Sequence, residues 1–160
     1  MARVTSFMQR PYGTAVSAVL IAALAAALAV AQAPAPSLPP YQPKFQGDPA
    51  RSDSEAAALG YMRTFLRAQK IYKKKNSHYA TTLLDLAKTG SFTRRMVATD
   101  RGDYAVIFKS HKETDKFEIT LAPKQQDLTH RSFFSDDQGK IRADEQKEAD
   151  AGSEVLKADE

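Results

Sequence analysis

Six of the chain's eight prolines fall between residues 34 and 49: Pro34, Pro36, Pro39, Pro40, Pro43 and Pro49. Each lacks an N–H and fixes φ, so neither a helix nor a central strand can run through this stretch. The chain is thereby divided, and nothing helical ahead of the prolines can continue as one rod into the residues beyond them. Residues 32–51 are expected to be a semi-rigid linker or a free arm. Composition changes across the divide. Residues 1–31 hold 22 apolar side chains and no acid, whereas residues 32–160 hold 46 apolar side chains in 129 positions. The total of 160 residues suits one small domain and excludes a multidomain enzyme. The absence of cysteine removes thiol catalysis, iron–sulfur clusters, zinc ribbons and disulfide staples.

Residues 1–31 have the pattern of an export signal. Arg3 and Arg10 precede an uncharged run from Thr14 to Val30 in which eight of 17 residues are alanine. Alanine partitions weakly into hydrocarbon and a span needs about 20 strongly apolar residues, so cleavage is favoured over a permanent membrane anchor. Ala29-Val30-Ala31 supplies the small residues of a cleavage site, placing the cut between Ala31 and Gln32. The alternative is an uncleaved anchor, the chain's only route to membrane contact. Both place the remainder outside the cytoplasm, periplasmic or secreted.

The folded part is expected over residues 52–142. Ser52-x-x-Glu55 is a capping box, and Asp53 and Glu55 put negative charge in a first helical turn. Leu59, Met62, Leu66 and Gln69, with Phe65 and Tyr72 beside them, recur at spacings of three and four and form one buried stripe. Arg63, Arg67 and Lys70 lie on the opposite face, Lys73, Lys74 and Lys75 fall in the last turn, and Asn76-Ser77 ends the helix. Thr82-x-x-Asp85 caps a short second helix closed by Gly90. From Tyr104 the period becomes two. Tyr104, Val106 and Phe108, then Phe117, Ile119 and Leu121, define a hairpin, and Arg131–Ser135 with Lys140–Arg142 adds two further strands around the turn Asp136–Gly139. The expected fold is α+β, with a long N-terminal helix and a short one packed on a three- to four-stranded antiparallel sheet.

The order of Leu59-x-x-Met-Arg-Thr-x-x-x-Ala-Gln-x-x-Tyr72, Tyr79-Ala-Thr-x-Leu83-x-x-Leu86, Gly102-x-Tyr104, Phe117-x-Ile-Thr-x-Ala-Pro123 and Arg131-Ser-Phe-Phe-Ser-Asp-x-x-Gly139-x-Ile141-Arg142 resembles the globular half of type IV pilin-like proteins and type II secretion major pseudopilins. The resemblance covers about residues 56–142 and implies a pilin-like head with an assembly or interaction role and no enzymatic one. Its implied partners are envelope, secretion or pilus proteins. The prepilin pattern is missing: Pro11-Tyr12-Gly13-Thr14 precedes an alanine-rich run without glutamate, and the prolines interrupt any continuous spine helix. The combination is a pilin-like head behind an ordinary signal.

No nucleophile stands beside a base, which leaves a small hydrolase as the third alternative. No phosphate loop or dinucleotide fingerprint occurs, and no cofactor is expected. His78, His111 and His130 are too isolated for a metal centre, and Asp136-Asp137-x-Gly139 lacks the alternating ligands of a calcium loop and is read as a turn. Charge is unevenly spread. Residues 52–142 hold 17 basic against 11 acidic side chains, and residues 143–160 hold two against seven. Lys73, Lys74, Lys75, Arg94 and Arg95, with Arg101, could bind a nucleic acid or another polyanion beside Tyr72 and Tyr79. The competing reading makes the lysines a solvated helix end and both tyrosines core. The acidic tail is expected to be disordered or a frayed helix, and the opposed signs motivate the hypothesis that it folds back over the basic face and competes with anions.

Overall fold

In the computed structural model, which describes residues 40–157, helix α1 spans Asp53–Asn76. Its N-cap is Ser52, whose side chain accepts from the Glu55 N–H at 3.1 Å. Only half of the capping box forms. The Glu55 carboxylate accepts from the Arg51 N–H and turns inward, where the residue is wholly buried. At the other end Ser77 adopts a left-handed conformation at φ 65° and returns its N–H to the Lys73 carbonyl, which closes the helix. The buried face carries Leu59, Met62, Phe65, Leu66 and Gln69 at the spacings of three and four that put residues on one side of a helix.

Gln69 is polar and fully buried because both ends of its amide are used. Its Oε1 accepts from the Ala80 N–H at 2.9 Å and its Nε2 donates to the Ala80 carbonyl at 3.2 Å. This pairing turns the chain back along α1 into helix α2, Leu83–Leu86, which Thr82 caps. Two 3₁₀ turns, Ala87–Thr89 and Arg94–Val97, lead on to the sheet.

The sheet is a six-stranded antiparallel meander in which every strand pairs with its sequence neighbours. Its strands are β1 Asp100–Arg101, β2 Tyr104–His111, β3 Lys116–Pro123, β4 Ser132–Asp136, β5 Arg142–Asp144 and β6 Glu154–Val155. Tyr104, Val106, Phe117, Ile119, Leu121 and Phe133 share one core with the stripe of α1, so the helix covers one face. The other face carries Ser132 and Phe134 of β4, also buried. The segment between β5 and β6 explains that burial: the Ala149 N–H donates to Ser132 Oγ at 2.9 Å, and Arg142 Nη1 donates to the Ser153 carbonyl at 2.9 Å.

Four expectations are corrected here. The α+β class stands, but the sheet has six strands rather than three or four, because β1 and β6 are two-residue strands too short to show alternation. The helix begins at Asp53 and is an internal element rather than an N-terminal one. Residues 143–157 are not a disordered tail, since they supply β5 and β6 and bury Ala149 and Ser153. Residues 40–51 are not a bare spacer. Tyr41 donates to Asp48 at 2.5 Å, Ala50 is buried, and Pro49 meets Arg131. Ala31 and Gln32, the expected cleavage site, lie outside the described residues, and no helix among those described is long and apolar enough to cross a membrane.

Candidate functional site

The five residues expected to bind anions do not come together as one site. Lys73 is already engaged: its ammonium lies 3.0 Å from Asp115 and 3.9 Å from the centre of the Tyr79 ring. The Asp115 carboxyl is held below its ordinary value by the Tyr79 backbone N–H and by Lys73, and Lys73 is raised by its bond to Asp115. Lys74 and Lys75 remain exposed at the end of α1. Arg94 and Arg95 sit on a 3₁₀ turn whose Met96 carbonyl accepts from Tyr61, twelve residues before Lys73 and so about 18 Å back along the helix. Tyr72 and Tyr79 pack against the core, Tyr79 edge-on to Phe117 at 4.9 Å, so neither is a free stacking platform.

A polar chain joins the start of α1 to the β3–β4 connection. Ser54 donates to Asp103, His130 Nε2 stands 3.6 Å from Asp103, and His130 Nδ1 stands 2.9 Å from Asp127. Ser52 Oγ also donates to the Thr129 carbonyl. The serine hydroxyl faces a carboxylate rather than the imidazole, and each imidazole nitrogen faces a carboxylate. The arrangement latches the helix start to the turn and does not activate a nucleophile. Hydrogen bonds from the Thr129 hydroxyl and from His130, with the Thr129 N–H behind them, lower the Asp127 carboxyl to about 2. A depressed acid adds stability above its unfolded pKa and loses it as pH falls through the folded value, so this contribution fades from about pH 4 to pH 2. Carbon-13 NMR titration should place the Asp127 midpoint near 2, and Thr129→Val should move it up toward the ordinary 3.8. An unmoved midpoint would show that the hydroxyl is not its cause.

Two surface hollows adjoin the residues 143–157. The first, about 550 Å³, is walled by Pro49, Arg51, Arg131 and the β5–β6 region. Its arginines are committed internally, Arg51 to Glu145 and Arg131 to Glu55. The second is a groove of about 490 Å³ between α1 and the β4–β5 turn. Its floor is aliphatic, made by Leu66, Ile141, Val155 and Leu156, and its rim is cationic, with Arg63, Arg67 and Lys70 from α1 and Lys140 from the opposite wall. Among the described residues none of these four cations is in a salt bridge. Gly139, at φ 74°, shapes the far wall; a Cβ there would stand 4.0 Å from Lys70 Cε, so the lysine stem arches over the turn. Phe45, half exposed, lies with its ring 5.6 Å from the Arg63 guanidinium.

This groove is not among the expected sites. Its signal is nevertheless present in the sequence: Arg63, Arg67 and Lys70 succeed one another at spacings of four and three with no acid at any neighbouring helical position. Like charges so placed destabilise a helix slightly, whereas a solvated face that serves only itself is usually laced with acids. The other wall is not legible, because Ile141 reads as a strand end and Val155 and Leu156 read as tail. Within the described part of the tail, Val155 and Leu156 build the floor beside this row of cations.

Asp136 and Asp137 behave as turn residues, with Asp136 Oδ1 accepting from Gln138 N–H at 2.9 Å and the Asp136 carbonyl accepting from Gly139 N–H at 2.9 Å. No group of three potential metal-ligating side chains is gathered among the described residues. The structure thus defines an α+β domain with an open, basic-rimmed apolar groove. Comparison with known proteins finds no family model that matches the chain, and no curated protein or solved structure similar to it at a significant level.

Proposed function

We propose that this is a non-enzymatic interaction or assembly module that acts outside the cytoplasm, a pilin-like head carried by a signal or anchor rather than by a spine helix. The single observation that carries the interaction role is the groove: four cations that are in no salt bridge among the described residues stand around a floor of Leu66, Ile141, Val155 and Leu156, of which Val155 is 39% exposed. Unpaired charge around an apolar strip is the composition of a binding surface rather than of an ordinary solvated face. The order of elements, a helix followed by an antiparallel meander, supports the pilin-like reading. The uncharged run from Thr14 to Val30, with Ala31 and Gln32 after it, supports export.

Two measurements test this. Mass spectrometry of the native N-terminus should find Gln32 first if the signal is cleaved, or Met1 if it is an anchor; recovery of the intact chain from the cytoplasm would refute export. A photo-crosslinker at Lys140 should capture an envelope, secretion or pilus protein from cells, and the same crosslinker at Lys109, outside the groove, should not. Equal capture at both positions would remove the groove from the function.

A second reading, polyanion binding at the end of α1, is favoured by the exposure of Lys74 and Lys75 beside the engaged Lys73. It requires heparin retention that Lys74→Ala with Lys75→Ala abolishes.

A further inference from the structure

We propose that the groove between α1 and the β4–β5 turn receives an acidic amphipathic helix of a partner protein, its carboxylates on the cationic rim and its apolar side chains on the floor. This rests on the reading of the groove as the interaction surface and adds the chemistry of what it binds.

The geometry selects the class. Arg63, Arg67 and Lys70 stand on successive turns of α1 on one wall, about 5–6 Å apart, and Lys140 faces them from the other. Acids at spacings of four and three on a second helix repeat at the same interval and can meet the row in register. Leu66, Ile141, Val155 and Leu156 lie between the two walls, where the apolar stripe of such a helix would fall. Val155 is 39% exposed, so an apolar side chain is uncovered on the floor. The guanidinium groups add bidentate carboxylate recognition to simple charge attraction.

The same features argue against other occupants. A lipid brings one anionic head and a long chain that needs enclosure, whereas this groove is open and its cations are spread along two walls. A single-stranded nucleic acid needs aromatic platforms for its bases, and this floor is aliphatic. The polyanion surface at Lys74 and Lys75 lies further along α1 and is separable by mutation.

Fluorescence anisotropy with the full chain tests the proposal. The probe is a labelled helical peptide of about 15 residues with glutamates at positions i, i+4 and i+7 and a leucine stripe beside them. Three controls are used: the same peptide with glutamine for glutamate, the same composition scrambled, and anionic phosphatidylglycerol vesicles. The glutamate peptide is expected to bind, and both the glutamine peptide and the Arg67→Glu, Lys70→Glu double variant are expected to weaken binding by roughly tenfold or more. Ile141→Ser should weaken it through the floor without changing its salt dependence. Arg67 and Lys70 are exposed and, among the described residues, in no salt bridge, so circular dichroism should show the double variant folded. Equal binding of the glutamine or scrambled peptide, or indifference to the double variant, would overturn the proposal, as would binding of vesicles alone. If every peptide fails while the crosslinker at Lys140 still captures a partner, the interaction module survives and its acidic-helix partner does not.

Discussion

Replacing Glu55 by alanine is expected to lower folding stability by about 3–5 kcal/mol, the range for removing one partner of a buried ion pair. Glu55 is wholly buried and Arg131 is only 7% exposed. The carboxylate receives the Arg131 N–H at 2.9 Å, Nε at 3.0 Å and Nη2 at 2.8 Å, with the Arg51 N–H at 2.8 Å. Arg131 also donates to the Pro49 carbonyl at 2.6 Å, and its own carbonyl accepts from Tyr104 at 3.0 Å. One carboxylate therefore joins the arm before α1, the first turn of the helix and the entrance to β4. In Glu55→Ala the guanidinium is left uncompensated and two backbone N–H groups lose their acceptor. Arg131→Met strands the carboxylate instead and should cost a similar amount. The pair Glu55→Leu with Arg131→Met removes both charges and should be more stable than either single variant. It will not reach the wild type, because the N–H groups of Arg51 and Arg131 stay unpaired at about 1–3 kcal/mol each. Urea unfolding with a common slope measures all three. A Glu55→Ala cost below about 1 kcal/mol would mean that water reaches the site and screens the pair.

That hub shows where sequence reasoning stops. Ser52-x-x-Glu55 is legible as a helix start, and the Ser52 cap is found. The destination of the Glu55 carboxylate is not legible, because its partner lies 76 residues away and only the folded sheet brings the two together. The same limit governs the sheet. β2 and β3 are readable because eight-residue strands with one buried face alternate visibly. β5 and β6 are three and two residues long, and their pairing is set by neighbours: the Leu156 N–H reaches the Ile141 carbonyl, and Arg142 sits across from Phe134. Composition then misleads. Residues 143–157 hold few large apolar groups, yet they are ordered through small buried side chains, Ala149 and Ser153, and through hydrogen bonds to Ser132 and Asp144. For the candidate site the helical half is visible as an unbalanced row of cations, and the other half depends on this misjudged segment.

The second large effect is expected at Phe65, which sits where α1, the segment after α2 and the first long hairpin converge. Its ring is fully buried and meets Phe108 at 5.3 Å, Phe117 at 5.5 Å and Phe92 at 6.3 Å, all edge-on. Edge-to-face pairs contribute about 0.5–1.5 kcal/mol beyond the area they bury, and truncating a core phenylalanine costs about 3–5 kcal/mol in total. Phe65→Ala should therefore remove much of the roughly 5–15 kcal/mol that holds a domain of this size folded, and lower the melting temperature by on the order of 10–20 °C. Phe65→Leu keeps most of the volume and should lose less. The comparison with Phe108→Ala decides the mechanism. Phe108 shares the same contact but is only half buried, so its removal opens a dent that solvent can fill rather than a sealed cavity, and it should cost clearly less. Equal losses at the two positions would mean that the edge-on contact carries the stability. A larger loss at Phe65 would assign it to the cavity, and the three elements around that ring would then unfold as one cooperative unit.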